Sequence, residues 1–170
     1  MGCEFDIEVA DIDESVKAGE SPKSYGLRVA TAKAQAICDS FPDSAVLAAD
    51  TIVSIDGEVL GKPRDLDHAL QMWQRLADGW HDVISVVVLA HAAQIASATV
   101  VTGVRFATIS TAQMRQYWQT GEPADKAGGY AIQGRASAWV QEVRGSYSNV
   151  VGLPLFETNQ LLHTVGHNWL

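Results

Sequence analysis

Residues Val46–Val53 form a nearly continuous apolar run broken only by Asp50 and Thr51, and Asp56-Gly57 follows as a two-residue turn into Glu58–Leu60. The pattern predicts a hairpin, which excludes an all-parallel sheet. His81–Ala90 and Ala98–Ile109 are two further β-rich runs, the second with Thr102, Val104 and Phe106 alternating, and they read as sheet neighbours. Cys3–Ala10 alternates Phe5, Ile7 and Val9 with Glu4, Asp6 and Glu8, the period of a half-buried strand. Helical spacing separates these runs. From Ser24 to about Asp39, Leu27, Ala30, Ala34, Ile37 and Phe41 recur on one face, with Lys33 at its margin. Asp65 caps a helix whose Leu66, Ala69, Leu70, Trp73, Leu76 and Ala77 share a face and which ends at Gly79. Ser110-x-x-Gln113 is a capping box for a short helix through Tyr117 and Trp118, and Pro154 opens a last helix with Leu155, Thr158, Leu161 and Leu162. Asp125–Gly152, dense in Gly, Tyr, Ser and Asn, reads as irregular binding loops. The class is α/β: a mixed twisted sheet flanked by helices, in a single domain over residues 1–170 without repeat or linker.

A chain of 170 residues, 47% of them apolar, buries roughly 70% of the surface its unfolded form exposes, so it needs neither disulfides nor a structural metal. Cys3 and Cys38 have no metal or redox spacing and no basic-plus-apolar leader precedes them, so a reducing, cytoplasmic setting is expected. The longest apolar stretches, Val83–Ala90 and Ala45–Ala49, fall short of the ~20 residues that span a bilayer, which argues against an integral membrane protein. Twelve Lys and Arg against twenty Asp and Glu give a net charge of −8, and the basic residues are scattered singly. Nucleic acid, which asks for a basic stripe, is a poor partner. A small phosphorylated ligand needs only two or three placed cations and a divalent metal, and is compatible with this charge.

Asp50 is the most informative residue for chemistry, because a carboxylate inside an apolar strand must be paired, bound to a metal or shifted in pKa. It is either satisfied by backbone donors at a strand end or serves as a general base or metal ligand. Asp11, Asp13 and Glu14 lie where a strand gives way to a loop, either as a solvated turn or as oxygen ligands for a divalent cation. Lys33, Lys62 and Lys126 each stand beside small or turn residues. Each alone reads as a surface lysine. Together with two acids they suit a metal-bound phosphate chain, which needs cations on its oxygens and a carboxylate to activate water. Other motifs are weak. His163 and His167 have helical metal-ligand spacing but flank Gly166, and His81 reads as a structural hydrogen-bond partner. Neither GxxxxGK[ST] nor GxGxxG occurs, and Ser146 and Ser148 lack the GxSxG context of a serine hydrolase.

Taken together, several segments resemble the Maf family of nucleoside triphosphate pyrophosphatases, also called septum formation inhibitor proteins. They are Asp11-Ile12-Asp13-Glu14, Tyr25 through Lys33-Ala34, Ala48-Ala49-Asp50-Thr51, Gly61-Lys62-Pro63, Gly79-x-His81-x-Val83, Asp125-Lys126-Ala127-Gly128, Ile132-Gln133-Gly134 and Gly145 through Leu155. In order and spacing they cover nearly the whole chain. The resemblance implies a Maf/ITPase-like architecture and hydrolysis of a nucleoside triphosphate between its α and β phosphates, with Mg²⁺ or Mn²⁺. It implies that Asp50 activates water, that Glu14 helps hold the metal, and that Lys33, Lys62 and Lys126 bind phosphate. The family's specificity positions fall on Thr51 and Gln133, and the Asp-Thr pair is similar to the branch acting on dTTP and UTP. An amide such as Gln133 suits a pyrimidine edge, since it both donates and accepts. A homodimer is implied as well, as is a link to septum formation.

Two departures accompany the resemblance. Gly129 and Ala131 stand where the family usually has Ala and Gly, a mild exchange of small residues. More seriously, the family's opening strand, its Ser-x-Ser-Pro-Arg-Arg loop and the helix after it have no counterpart before Cys3–Ala10. Met1 therefore resembles an internal methionine or the start of a truncated protein. The sheet is expected to lack a strand and the site an arginine that clamps phosphate. The functional expectation is a dTTP/UTP pyrophosphatase. The alternatives are a nucleotide-binding remnant without turnover and the same reaction on CTP or a modified nucleotide.

Overall fold

Asp56 and Gly57 take φ values of +53° and +77°, the left-handed pair that a tight hairpin requires, and the expected β-hairpin forms around them. The structure is a computed structural model that describes residues 4–92 and 94–166. In chain order the elements are α1 (Pro22–Cys38), β1 (Val46–Ile55), β2 (Glu58–Leu60), α2 (Leu66–Leu76), β3 (Trp80–His91), β4 (Gln94–Phe106), α3 (Thr111–Trp118), β5 (Val140–Arg144), α4 (Tyr147–Val151) and α5 (Leu155–His163). Two short 3-10 turns, Ala127–Gly129 and Arg135–Trp139, punctuate the stretch before β5.

The strands form one sheet in the order β2-β1-β3-β4-β5. All four pairings are antiparallel, so the mixture of strand directions expected from the sequence is not found among the described residues. The α/β class stands, with helices on both faces. On one face α1 lies against β1 and β3, where Ala30 and Ala34 pack with Val46, Val86, Val88 and Ala90. On the other, α2 and α3 close over Val53, Val83, Val104 and Phe106, with Trp73, Tyr117, Tyr130 and Trp139 forming an aromatic cluster whose ring centroids lie 4.8 to 6.0 Å apart. Tilted and edge-on contacts of this kind add to the stabilisation that area burial gives. No helix among the described residues is long and apolar enough to cross a membrane.

Several expectations need correction. Residues 4–10 form no strand, and Phe5, Ile7 and Val9 are 75%, 80% and 88% exposed; Cys3 lies outside the described residues. Alternation makes a strand only where a sheet edge receives it, and among the described residues no strand pairs with this segment. Helix α1 buries Gly26, Val29, Ala30 and Ala34, while Leu27 and Phe41 are more than 40% exposed. Its contact face is built from the smallest side chains, which lets the backbone approach the sheet. Helix α2 stops at Leu76 rather than at Gly79, and Asp78 makes the turn at φ +55°. The presumed loop over Asp125–Gly152 contains β5, which joins β4 across a bulge at Arg105/Phe106, and α4, capped by Ser146. His81 does make a structural hydrogen bond, with Nε2 2.7 Å from the Tyr130 hydroxyl. His163 ends α5, and His167 lies outside the described residues.

Two features place the site. Strand β2 pairs only with residues 53–55 of β1, so the outer edge of β1 from residue 46 to 52 has no strand partner among the described residues. Secondly, the loop after β2 and the loop at residues 125–129 are tied together by the Gly128 amide, which donates to the Gly61 carbonyl at 3.0 Å. Gly128 sits at φ +66°, and an added Cβ would come within 2.9 Å of Val53 Cβ. Backbone strain and overpacking combine there, so Gly128→Ala is expected to cost about 2 kcal/mol, a fall in Tm of roughly 4–8 °C by calorimetry.

Candidate active site

Asp50 points from β1 toward α1, and Lys33 reaches it from the helix. Lys33 Nζ lies 2.9 Å from Asp50 Oδ1 and 2.9 Å from Glu14 Oε1. The carboxylate is therefore not the strand-end acid satisfied by backbone donors, since its partner is a side-chain cation. The loop that carries Glu14 is strapped onto α1 at two further points. The Tyr25 hydroxyl donates to the Glu14 carbonyl at 2.9 Å, and Arg28 forms a bidentate pair with Glu20 at 2.7 and 2.9 Å while donating to the Ser15 carbonyl at 2.8 Å. Glu20 is held ionised by that guanidinium, its pKa lowered to about 2.

Burial raises the pKa of Asp50 above its ordinary value, and the Lys33 ammonium only partly offsets this. For Lys33, burial pulls the other way, but hydrogen bonds to Glu14 and Asp50 outweigh it and the pKa is raised. Glu14 and Asp50 direct oxygens at one point. Two carboxylates fit Mg²⁺ or Mn²⁺ when phosphate oxygens and water complete the shell. Among the described residues no group of three or more His, Cys, Asp or Glu could hold a metal without such help.

Successive residues of a strand face opposite sides, so Thr51 turns away from α1. It lines a cleft of about 290 Å³ together with Lys62, Lys126, Gln133, Tyr130 and Gly152. The structure therefore divides the expected residues into two groups: Glu14, Lys33 and Asp50 on one face of β1, and Thr51, Lys62, Lys126 and Gln133 on the other. The open edge of β1 lies between them. Lys62, exposed on its loop, is close enough for its charge to act on both Asp50 and Asp125. Lys126 is paired with Asp125, at 2.7 and 2.8 Å. A larger groove of about 450 Å³ near Lys23, Asp56 and Asp82 contains none of these residues.

Residues that periodicity did not single out build the cleft wall. Asn149 is fully buried, and its amide accepts from the Ser85 backbone N–H at 3.1 Å while donating to the Val83 carbonyl at 2.9 Å and to Thr102 Oγ1 at 2.8 Å. It addresses β3 as a neighbouring strand would. Ser85 Oγ donates to the Asn149 carbonyl at 3.0 Å and lies 2.8 Å from Thr51 Oγ1. The loop that carries Gln133 is held on its far side by Glu122, which accepts from the Tyr117 hydroxyl at 2.6 Å and from the Arg135 N–H at 3.1 Å. The only sequence signal for these supports was polar residues in apolar surroundings, Ser85 in β3 above all.

A sequence profile for Maf-like protein matches residues 1–165. The chain belongs to the Maf family. Similar proteins named dTTP/UTP pyrophosphatase occur in Acinetobacter baylyi, 48% identical over 97% of this chain and 90% of that protein, and in Hahella chejuensis, 47% identical over 98% and 84%. A third, from Salmonella typhimurium, is 47% identical over 95% of this chain and 83% of its own length. The matched region of this Maf chain includes both groups of site residues.

The raised pKa of Asp50 has a definite sign. Its ionised form is disfavoured by the fold, so the charge costs stability once pH rises through the folded-state value, and Asp50→Asn should not destabilise the protein at neutral pH. Carboxyl NMR of the labelled chain should place the Asp50 midpoint above 3.8, and Lys33→Met, which removes the lowering influence, should move it higher still. A midpoint that fell in Lys33→Met would contradict the pairing.

Proposed function

We propose that this Maf protein is a metal-dependent nucleoside triphosphate pyrophosphatase that converts dTTP and UTP to the monophosphate and pyrophosphate. One observation carries the reading: an acid of raised basicity, Asp50, sits beside Lys33 at an open strand edge, with a nucleotide-sized cleft just across it. The names of the similar proteins support the same substrates.

In this reading Asp50 accepts a proton from water as the oxygen adds to phosphorus at the bridge between the α and β phosphates, and the bridging bond breaks to release pyrophosphate. A carboxylate whose pKa is raised is a stronger base than an ordinary one. Lys33, released from Asp50 to the incoming phosphates, and Lys62 and Lys126 neutralise their oxygens. Glu14 would help hold the divalent cation, Mg²⁺ or Mn²⁺, which when bound supplies positive charge to the phosphate chain. Thr51 and Gln133 meet the base in the cleft on the other side of the edge. The triphosphate thus crosses the edge of β1 while its base rests against Thr51. A homodimer accompanies this reading on the strength of the family resemblance, and a single domain and a cytoplasmic setting on the strength of composition and cysteine usage.

Pyrophosphate release should be measured with Mg²⁺ and Mn²⁺ on dTTP, UTP, CTP and GTP. Turnover concentrated on dTTP and UTP is expected, and Asp50→Asn should lower it roughly 10²–10⁴-fold with Tm within a few degrees of the parent. Retained turnover in Asp50→Asn would remove this acid from the mechanism.

A further inference from the structure

The hydroxyls beneath the cleft have too few hydrogens for their partners. Thr51 and Ser85 own one hydroxyl hydrogen each. Ser85 Oγ donates to the Asn149 carbonyl at 3.0 Å, and Thr51 Oγ1 donates to the Gly152 carbonyl at 3.1 Å. Carbonyls only accept, so both hydrogens are engaged inside the protein. With the Ser85 hydrogen committed to Asn149, Thr51 is the donor in the third contact, 2.8 Å between the two hydroxyls, and its one hydrogen is shared between Ser85 Oγ and the Gly152 carbonyl. Nothing is left to donate outward, and Thr51 can meet a ligand only as an acceptor.

The arrangement is rigid because its base is. Ser85 is fully buried, and both its N–H and its hydroxyl are fixed by Asn149. Asn149 is itself saturated: its side-chain oxygen takes the Ser85 N–H, its two amide hydrogens go to the Val83 carbonyl and to Thr102 Oγ1, and its own N–H reaches Ser146 Oγ at 3.3 Å. Thr102 completes the set by donating to the Ser146 carbonyl at 3.2 Å. Ser85, Asn149 and Thr102 are fully buried, and a buried network whose donor hydrogens are all engaged resists reorientation, since turning one of these groups strands a partner without water to replace it.

We propose that Ser85 and Asn149 are positioning residues that lock the Thr51 hydroxyl as a hydrogen-bond acceptor facing the ring N3 of the base, so that the cleft selects a base whose N3 carries a hydrogen. The inference rests on the nucleotide reading of the site and deepens it. Uracil and thymine carry an imide N3–H, whereas cytosine has a bare acceptor nitrogen at that position. The network therefore accounts for acceptance of both keto pyrimidines and for rejection of cytosine by repulsion between two acceptors.

The probes are UTP, CTP and 3-methyl-UTP, in which a methyl group replaces the imide hydrogen. Dissociation constants are measured by calorimetry in EDTA, where no metal-dependent turnover intervenes, beside kcat/KM with Mg²⁺. The parent protein should bind UTP at least roughly tenfold more tightly than either of the others. Thr51→Val, of nearly the same shape, should collapse the UTP to CTP preference, and Thr51→Ser should keep it. Ser85→Ala, which frees the Thr51 hydroxyl to turn, should erode the preference with smaller loss of UTP turnover. Equal binding of UTP and 3-methyl-UTP by the parent overturns the proposal, as does an unchanged UTP to CTP ratio in both folded Thr51→Val and Ser85→Ala. Selective binding without pyrophosphate release would sink the hydrolytic reading and leave this one standing. Turnover of UTP without selectivity would do the reverse.

Discussion

Helix α1 meets the sheet through Gly26, Ala30 and Ala34, and the small size of these residues sets how near the helix axis lies to β1 and β3. That separation decides whether the lysine on the helix margin reaches the carboxylate on the strand. An added Cβ at Gly26 would meet Ile52 and Val86 Cγ2, so the contact is already full. With the helix in place, Lys33 bridges Asp50 and Glu14, and Tyr25 and Arg28 fasten the preceding loop to the same helix. One close-packed face thus orders three otherwise independent segments: a strand, a helix and an acidic loop.

The other half of the site depends on polar rather than apolar packing. Asn149 takes hydrogen-bonding positions on β3 and reaches Thr102 on β4, which anchors α4 and the chain through Gly152 against the sheet. Opposite, the Trp73 indole donates to the Gly129 carbonyl at 3.0 Å, and the Tyr117 hydroxyl accepts from the Ala131 N–H at 3.2 Å. The chain between Ala131 and Arg135, whose N–H is held by Glu122, carries Gln133 to the cleft. Rigid elements hold both walls: Thr51 lines the cleft from β1 itself, and Lys62, Lys126 and Gln133 line it from loops.

Much of this was legible in the residues. The hairpin at Asp56-Gly57, the Asp65 cap and the Ser110 capping box depend on local chemistry, and each occurs where its motif stands. That Asp50 needs a partner followed from a charge in an apolar strand, and Lys33 is that partner. What sequence could not convey was partnership at long range. The alternation at residues 4–10 specified a strand that pairs with none of those described, and the stretch at 125–152, rich in Gly and Ser, concealed a strand and a helix whose stability comes from β4 and from buried hydrogen bonds. Asn149 and Ser85 were invisible as a pair because they lie 64 positions apart and meet only when the sheet is complete.

The short reach of β2 has a consequence of another kind. It leaves backbone donors and acceptors along residues 46–52 of β1 without a strand neighbour among the described residues, the arrangement that invites a foreign strand to add and chains to aggregate. Native sheets guard such borders with charge set into the strand, because a stranger pairing there must strip its water. Asp50 with Lys33 is a charge of that sort, placed midway along the exposed border. The ion pair proposed to serve the chemistry at this edge also makes the edge a poor template for strand addition.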